Sequence, residues 1–366
     1  MHRDLRPLAR ALVAGSASAA LLLGCDSNQP LDPARAPTGV SRATKGQSVT
    51  ATLTILPSLG GPSEALAVDA AGAVIAGYGW DRSDVIHAVK WTLQNGAWAI
   101  SALPQAATAT GAIARGVDDL GDAAGNDFPG ATSHAVLWPA AGGFTVLGCG
   151  EPEAATVYGI SAGGQLEVGA SGGTAAVWRP AGCREDLPSL GAGGFSRADA
   201  ANGDGTIVGG AAAPTNPGDG VPVRWQGGQG QWQIVQLDNR PGSVHGANAV
   251  GDLAGQVLVP CAAAGGCQRA VIWYAAGGSL VLGTLGGADS WARDINSAGE
   301  VVGGSTAPRI GNTAYFWSSS LGMFQLPFKG RWAAANAVSD VRPDGTRLVV
   351  GMDSQGQPIA WIVRTP

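Results

Sequence analysis

Few residues of this sequence have the types and spacing that chemistry at a shared site requires. His87 and His134 each stand four residues before a tryptophan, in HAVKW and HAVLW, and such a pair could bind a metal. In other repeats, threonine, arginine or glutamine occupies the position four residues before the tryptophan. A polar cap at the start of a strand is therefore the simpler interpretation. No serine elbow, phosphate-binding loop or convergent pair of carboxylates is visible. We therefore expect no catalytic residues, no cofactor and no metal site.

Four cysteines in the body of the chain are expected to form disulfides. Cys261 and Cys267 flank the glycine-rich segment AAAGG, which can bring them together. Cys149 and Cys183 would then pair by elimination, although four cysteines allow three connectivities. Their spacing fits no zinc pattern, which favours a structural role. Such a set is typical of a chain exported to an oxidising compartment.

The fifth cysteine, Cys25, ends a leader-like segment. Residues 1–10 carry three arginines, and the apolar residues after them are too few to span a bilayer. The stretch LLGC at 22–25 resembles the lipobox of bacterial lipoproteins. This resemblance implies a signal peptide over 1–24 and a lipid on Cys25, with an ordinary secretory signal cut elsewhere as the alternative. Residues 25–47 are polar and proline-bearing, and we expect a flexible tether to an envelope membrane, facing the periplasm or the cell surface.

Residues 48–366 contain a repeat that must position whatever site the protein has. One marker is a tryptophan that recurs about every 45 residues: Trp91, Trp138, Trp178, Trp225, Trp273, Trp317 and Trp361. The second marker is a turn glycine of the same period: Gly72, Gly121, Gly164, Gly205, Gly251, Gly299 and Gly345. Two independent markers with one period indicate a repeat protein. The repeats cover about 57–103, 104–149, 150–190, 191–237, 238–285, 286–328 and 329–366.

Each repeat contains four strand-like segments separated by turn residues. This matches a blade of a β-propeller, so we predict an all-β, seven-bladed propeller over 48–366. The last repeat lacks a fourth strand, and residues 48–57 resemble one. The N-terminal strand is therefore predicted to complete the last blade and close the ring. An open β-solenoid, the alternative, would have no use for that strand.

Local roles follow from the two markers. The seven tryptophans are expected to pack between blades. In the turns, an aspartate or asparagine at the first position is expected to accept a backbone N–H, with glycine at the fourth. These first-position residues are Asp69, Asp118, Asn202, Asn248 and Asn296.

The sixth repeat also carries a family resemblance. LGTLGG, ARDINSAGEVVGGS and AYFW, with His-Ala before the first two marker tryptophans, resemble the HAF-repeat family of exported bacterial proteins. Valine replaces the family's phenylalanine, and repeats three to five are degenerate. The resemblance spans 48–366 and implies an extracytoplasmic repeat domain without established catalytic residues.

Composition excludes some functions and favours others. The 58 glycines and only 13% charged residues disfavour long helices, and a net charge of −5 with no basic cluster argues against a nucleic-acid partner. We expect a membrane-anchored, non-catalytic protein that binds or scaffolds envelope or extracellular partners, protein or glycan. The alternative is a polysaccharide-acting lyase or hydrolase on the same scaffold.

The expected ligand face carries aromatic and charged residues near the loops between second and third strands. Such loops share one side of a propeller with the crossings between blades, and here they vary in length. Aromatics with scattered polar groups suit a glycan or protein ligand, although plain solvated loops are the alternative. The candidates are Trp80, Asp81, Arg82, Asp84, Trp291 and Trp332.

Overall fold

The computed structural model of the chain describes residues 49–130, 132–148, 154–179, 183–192, 194–215, 220–228, 230–261 and 265–366. The predicted signal peptide and tether, with Cys25, and also Cys149 lie outside these residues. The described part of the chain contains strands and no helix, which confirms the all-β class. Accordingly, no helical segment in these ranges has the length and apolarity that a membrane crossing needs.

The strands are short and follow one another closely. In chain order they are β1 (Thr50–Ile55), β2 (Gly60–Val68), β3 (Val74–Asp81), β4 (Ile86–Gln94), β5 (Ala97–Ala102), β6 (Ala109–Val117), β7 (Ala123–Pro129), β8 (His134–Trp138), β9 (Thr145–Val146), β10 (Ala155–Ile160), β11 (Glu167–Ser171), β12 (Thr174–Trp178), β13 (Glu185–Asp186), β14 (Phe195–Ala201), β15 (Ile207–Ala213), β16 (Val221–Gln226), β17 (Gln233–Gln236), β18 (Gly242–Ala247), β19 (Leu253–Val259), β20 (Cys267–Trp273), β21 (Ser279–Val281), β22 (Ser290–Ile295), β23 (Val301–Ala307), β24 (Gly311–Ser318), β25 (Gly322–Gln325), β26 (Ala333–Val338), β27 (Thr346–Asp353) and β28 (Pro358–Arg364).

Consecutive strands pair antiparallel in sets of four. The sets β10–β13, β14–β17, β18–β21 and β22–β25 are separate sheets, each in sequential order. The sets β2–β5 and β6–β9 follow the same order and are joined by one parallel bridge between Ile86 and Gly111. The last sheet has the order β1-β28-β27-β26, because β1 pairs antiparallel with β28 from Thr50 to Ile55.

Neighbouring sheets pack face to face through small apolar cores. Val168 and Val177 of one sheet share a cluster with Val208 and Trp225 of the next. All seven marker tryptophans are less than 9% exposed, and several donate their indole N–H across to a neighbouring segment, as Trp138 does to the Pro104 carbonyl at 2.6 Å. Repeated four-stranded sheets stacked in this way are the arrangement of a β-propeller.

The predicted turns between the first and second strands of each repeat are confirmed. Asp69 Oδ1 accepts hydrogen bonds from the backbone N–H groups of Ala73 at 2.7 Å and Val74 at 3.0 Å. Gly72 closes the turn with φ of +65°, a conformation that side chains disfavour. The other predicted first-position residues accept backbone N–H groups in the same way: Asp118, Asn202, Asn248 and Asn296.

One predicted disulfide is confirmed within the described residues. Cys261 and Cys267 are bonded, with Cα atoms 5.8 Å apart. Cys183 is also disulfide-bonded. Its predicted partner, Cys149, lies outside the described residues, so that pairing stays a prediction.

Candidate functional site

The first strand of each set of four contains a β-bulge at one shared place. In β22 the register shifts between Ala292 and Asp294, so Arg293 has no partner on β23. A bulge leaves one residue out of the ladder and re-aims its side chain. We call the seven residues left out in this way the bulge ring. They precede the first residue of the following turn by three positions and are Leu66, Arg115, Tyr158, Asp199, His245, Arg293 and Asn336.

The whole bulge ring lines one cavity of about 250 Å³. The lining continues through small residues of the turns that follow, among them Ala70, Ala162 and Gly203. The cavity therefore lies at the end of the sheets that carries these turns. Side chains that are far apart in the sequence converge there because every repeat contributes the same strand position.

Glu64 is held at the edge of this cavity by two donors. The Tyr78 hydroxyl donates to Glu64 Oε2 at 2.9 Å, and Asn336 Nδ2 donates to Oε1 at 2.9 Å. Burial and the adjacent carboxylate raise the pKa of Tyr78, which keeps its hydroxyl protonated as a donor. Both oxygens of Glu64 therefore have partners within the protein.

A second carboxylate, Asp199, forms an ion pair with Arg197. Arg197 Nε lies 2.8 Å from Asp199 Oδ1. Burial raises the pKa of Asp199 and the Arg197 charge opposes that shift. His245 Nδ1 lies 3.9 Å from Asp199 Oδ2, and His245 Nε2 is 2.8 Å from Ser243 Oγ. Burial and the charges of Arg293 and Arg197 hold the pKa of His245 well below its usual range, so the imidazole is neutral at pH 7.

Two guanidinium groups of the ring have N–H groups for which the described residues supply no acceptor. Arg115 lies 5.6 Å from the centroid of the Tyr158 ring and Arg197 lies 5.3 Å from the same centroid, both within cation–π range. The buried Nε of Arg115 has no hydrogen-bond partner among the described residues. Arg293 likewise donates no hydrogen bond to the described residues and has only longer-range attraction to Glu64 and Asp199. Burial lowers the pKa of Arg115 and Arg293, yet a guanidinium stays charged at neutral pH.

Asp294 also lines the cavity but makes its hydrogen bonds with the backbone. Its Oδ1 accepts from the N–H of Ile295 at 2.8 Å and its Oδ2 from that of Val338 at 2.9 Å. Burial raises the pKa of Asp294 to about 7. Its carboxylate oxygens are therefore engaged within the protein at either protonation state.

The predicted ligand-face residues on the first repeat stabilise their own loop. Trp80 is half-buried against Tyr78 and Ile86. Asp81 Oδ1 accepts from two backbone N–H groups, and its Oδ2 lies 3.1 Å from His87 Nε2. Further along the loop, the side chain of exposed Arg82 covers Gly60, and Asp84 has a φ of +58°.

The other two candidates lie on the sixth and seventh repeats. The Trp291 ring packs so closely on Gly304 that a Cβ there would stand 2.2 Å from it. Trp332 is 37% exposed just before β26. None of the six predicted residues belongs to the cavity lining. The loop face stays a prediction, and the structure assembles a different group of polar residues.

The bulge ring was not among the predicted site residues, although the sequence carries a signal for it. Six of its seven members are polar, within strands whose other cavity-side residues, apart from Asp294, are small or apolar. Each stands at a constant spacing before the turn. The residue types differ from repeat to repeat, so no recurring motif marks the position.

Sheet order, sheet stacking and the shared cavity define this chain as a β-propeller, and solved structures agree. The chain is similar to streptogramin B lyase, with a TM-score of 0.52 and 9% identity over 87% of this chain and 98% of that one. It is similar to the β-propeller domain of the Trilobed protease from Pyrococcus furiosus, with a TM-score of 0.52 and 11% identity over 82% of this chain and 93% of that one. For the Cps50 (Swd1) β-propeller domain of Myceliophteria thermophila the TM-score is 0.52, with 12% identity over 85% of this chain and 99% of that one.

These identities show a shared fold and nothing about activity. No protein-family model matches the sequence, and no curated protein sequence matches it.

Proposed function

We propose that this chain is an exported, lipid-anchored propeller of seven blades that binds an envelope or extracellular partner, protein or glycan, in the cavity of the bulge ring. The observation that carries the proposal is the convergence of seven bulged side chains on one cavity. A cavity with convergent polar groups is the usual form of a ligand site.

Contacts between the first and last sheets support seven blades and a closed ring. Ile75 and Trp91 share a core cluster with Leu348 and Val350. The Asp340 N–H donates to the Ala70 carbonyl at 3.0 Å, between turns of the last and first repeats. Pairing of β1 with β28 supplies the fourth strand that the last repeat lacks, so the closed ring would leave no free edge at this point.

The lipid anchor rests on the sequence around Cys25, and export is supported by the Cys261–Cys267 disulfide. A Cys25→Ser variant tests the anchor. We expect wild-type protein to sediment with membranes and to incorporate labelled palmitate, and the variant to do neither. Equal membrane association and no label in both forms would contradict the anchor without touching the binding proposal.

Binding is favoured over hydrolysis because the ring has no free pair of carboxylates. A glycoside hydrolase needs one carboxylic acid and one carboxylate on either side of the bond. Glu64 is occupied by Tyr78 and Asn336, and Asp199 by Arg197. Each of these carboxylates is therefore paired with side chains of the protein, which disfavours the roles of general acid and general base.

A lyase is the second candidate, and neutral His245 is the observation that favours it. A neutral imidazole can accept a proton from a carbon next to a carboxylate, and Arg293 beside it could neutralise that carboxylate. Incubation with uronate-containing polysaccharides would test this, because elimination creates a double bond that absorbs ultraviolet light. Turnover lost in His245→Ala would replace the binding proposal with the lyase.

A ligand screen tests the binding proposal directly. Full-length protein in detergent would be melted in the presence of neutral glycans, acidic glycans and peptides, since a ligand of the folded form raises the melting temperature. We expect a ligand whose effect disappears in Tyr158→Ala and persists in Trp332→Ala. The reverse pattern would move the site to the loop face and contradict the proposal.

A further inference from the structure

The bulge ring contains hydrogen-bond donors that nothing in the described protein accepts. Arg115 and Arg293 each carry a guanidinium with five N–H groups. Arg115 Nε is buried without a partner, and Arg293 makes no hydrogen bond to the described residues. Both side chains are half-buried and line the cavity. A cation that has lost part of its water is stabilised when a ligand supplies acceptors.

The carboxylates next to these guanidiniums, in contrast, already have donors. Two lining aspartates on the turns, Asp119 and Asp340, each accept one backbone N–H. Glu64 accepts from Tyr78 and Asn336. Asp199 pairs with Arg197, and Asp294 accepts two backbone N–H groups. The unmet demand at this site is therefore for an acceptor, which is the chemistry of an oxyanion.

Charge balance narrows the class of anion. Three guanidiniums, those of Arg115, Arg197 and Arg293, act on one another and on the carboxylates of Glu64 and Asp199. Asp294 faces Asp340 rather than these arginines, and His245 is neutral. These five groups, the three guanidiniums and the two carboxylates, carry one excess positive charge, which a monoanion neutralises and a dianion overcompensates. Two further carboxylates, Asp119 and Asp340, line the same cavity at the turns that follow the strands.

The size of the cavity narrows the class of ligand further. The cavity has a volume of about 250 Å³, below the roughly 300–1,000 Å³ typical of sites for drug-sized ligands. One sugar residue or one amino-acid residue is the scale that fits. The flat guanidinium fork matches the two oxygens of a carboxylate.

We infer that the cavity of the bulge ring is a carboxylate site, in which Arg115 and Arg293 bind the carboxylate of a single acidic sugar or of a free carboxyl terminus. The inference rests on the proposed binding function and names its ligand class. Arg115 lies on the second repeat and Arg293 on the sixth. The two therefore approach the ligand from different blades. Tyr158 and neutral His245 border the same space.

Calorimetric titration of the full-length protein in detergent tests the inference. The probes are galacturonate and glucuronate for the sugar source, N-acetylglycine for the carboxyl-terminal source, sulfate as a dianion and galactose as the neutral counterpart. We expect one of the carboxylates to bind, galactose and sulfate to bind at least about tenfold more weakly, and the affinity to fall as salt is raised.

Variants locate the site. Arg115→Gln and Arg293→Gln should each weaken carboxylate binding by about tenfold or more. Exposed Arg309→Gln is the matched control and should bind as wild type. Without ligand, Arg115→Gln and Arg293→Gln should unfold cooperatively and close to the wild-type temperature, because glutamine keeps a polar side chain in each half-buried place. That melting behaviour shows that weaker binding does not come from misfolding.

Two results would overturn the inference. One is carboxylate binding that is unchanged in Arg115→Gln and Arg293→Gln. The other is a panel in which carboxylates bind no better than galactose. If a neutral glycan or peptide still stabilises the protein and loses its effect in Tyr158→Ala, the binding function stands and only its anionic ligand is wrong. If no ligand acts through the bulge ring, the proposed binding function and the inferred carboxylate site both fail.

Discussion

Asn336 donates its side-chain amide to Glu64 at 2.9 Å, across 272 positions of the sequence. The same Nδ2 donates to the Ala65 carbonyl at 2.9 Å. Two strands from opposite ends of the chain, β26 and β2, are therefore joined beside the cavity. The contact also fixes the charge of Glu64 at the position from which it attracts Arg115 and Arg293.

Removing this amide should weaken the junction of the first and last repeats. Asn336→Ala leaves Glu64 Oε1 without its amide donor in a half-buried place, and we expect a loss of about 1–3 kcal/mol in the free energy of unfolding. Urea denaturation measures it. Asn312→Ala, at an exposed strand position, is the control and should change stability by less than about 0.5 kcal/mol. Equal effects of the two substitutions would show that the Glu64 contact contributes nothing.

Glu167 predicts a pH dependence of stability. It is fully buried, both its carboxylate oxygens lack hydrogen-bond partners among the described residues, and burial raises its pKa from 4.5 to about 7. The folded state thus binds a proton more tightly than the unfolded state. The stabilisation is complete below pH 4.5 and is lost as the pH rises to about 7.

Glu167→Gln should remove this dependence. The variant is expected to be more stable than wild type at pH 8 by up to about 3 kcal/mol, with the difference vanishing toward pH 4.5. Denaturation at several pH values measures the difference. Asp344→Asn is the control of opposite sign, because hydrogen bonds from Thr346 lower the pKa of exposed Asp344. A Glu167→Gln curve parallel to wild type would exclude the buried carboxylate as the cause.

Two marker tryptophans differ in whether the indole N–H donates a hydrogen bond, so they form a matched pair for substitution. Trp138 Nε1 donates to the Pro104 carbonyl at 2.6 Å, whereas Trp273 Nε1 is buried without a partner among the described residues. Both substitutions to phenylalanine reduce core volume, but only Trp138→Phe breaks a hydrogen bond. We expect Trp138→Phe to cost about 1 kcal/mol more than Trp273→Phe in equilibrium unfolding. Equal costs would mean that packing alone decides at these positions.

Two turn glycines separate backbone strain from steric overlap. Gly299 has a φ of +72° and open space around a built Cβ, so Gly299→Ala should cost about 1–2 kcal/mol from strain. At Gly164 the φ is +65° and a Cβ would stand 2.3 Å from Asp118 Oδ2 of the neighbouring repeat. Gly164→Ala should therefore be the more destabilising, as judged from melting temperatures. A smaller effect at Gly164 would show that the Asp118 side chain moves aside freely.

The fold was predictable because its determinants repeat. The tryptophans and the turn glycines recur with one period, and each has a local cause: a buried indole, or a positive φ such as the +72° of Gly299. The strand count and the spare N-terminal strand followed from the same period. Local interactions of this kind can be read from a sequence one repeat at a time.

The candidate site was not predictable in the same way. Arg115, Tyr158 and Arg293 become neighbours of one cavity only because a bulge shifts the register of each first strand. The bulge depends on pairing between strands, which the sequence does not show directly. An aromatic such as Trp80 beside a variable loop predicts a ligand contact, whereas the structure packs Trp80 in a cluster with Tyr78 and Ile86.

The shared bulge has a consequence for how such a protein can change. A side chain that leaves the ladder is released from pairing across the sheet, and the seven positions accordingly tolerate leucine, arginine, tyrosine, aspartate, histidine and asparagine without altering the strands around them. On the proposed binding role, recognition and folding are thereby encoded largely by different residues, and Asn336 is the ring member that also stabilises the fold. Substitutions confined to the ring could give descendants of this chain new specificities while every blade stays the same, and a designer could exploit the same independence.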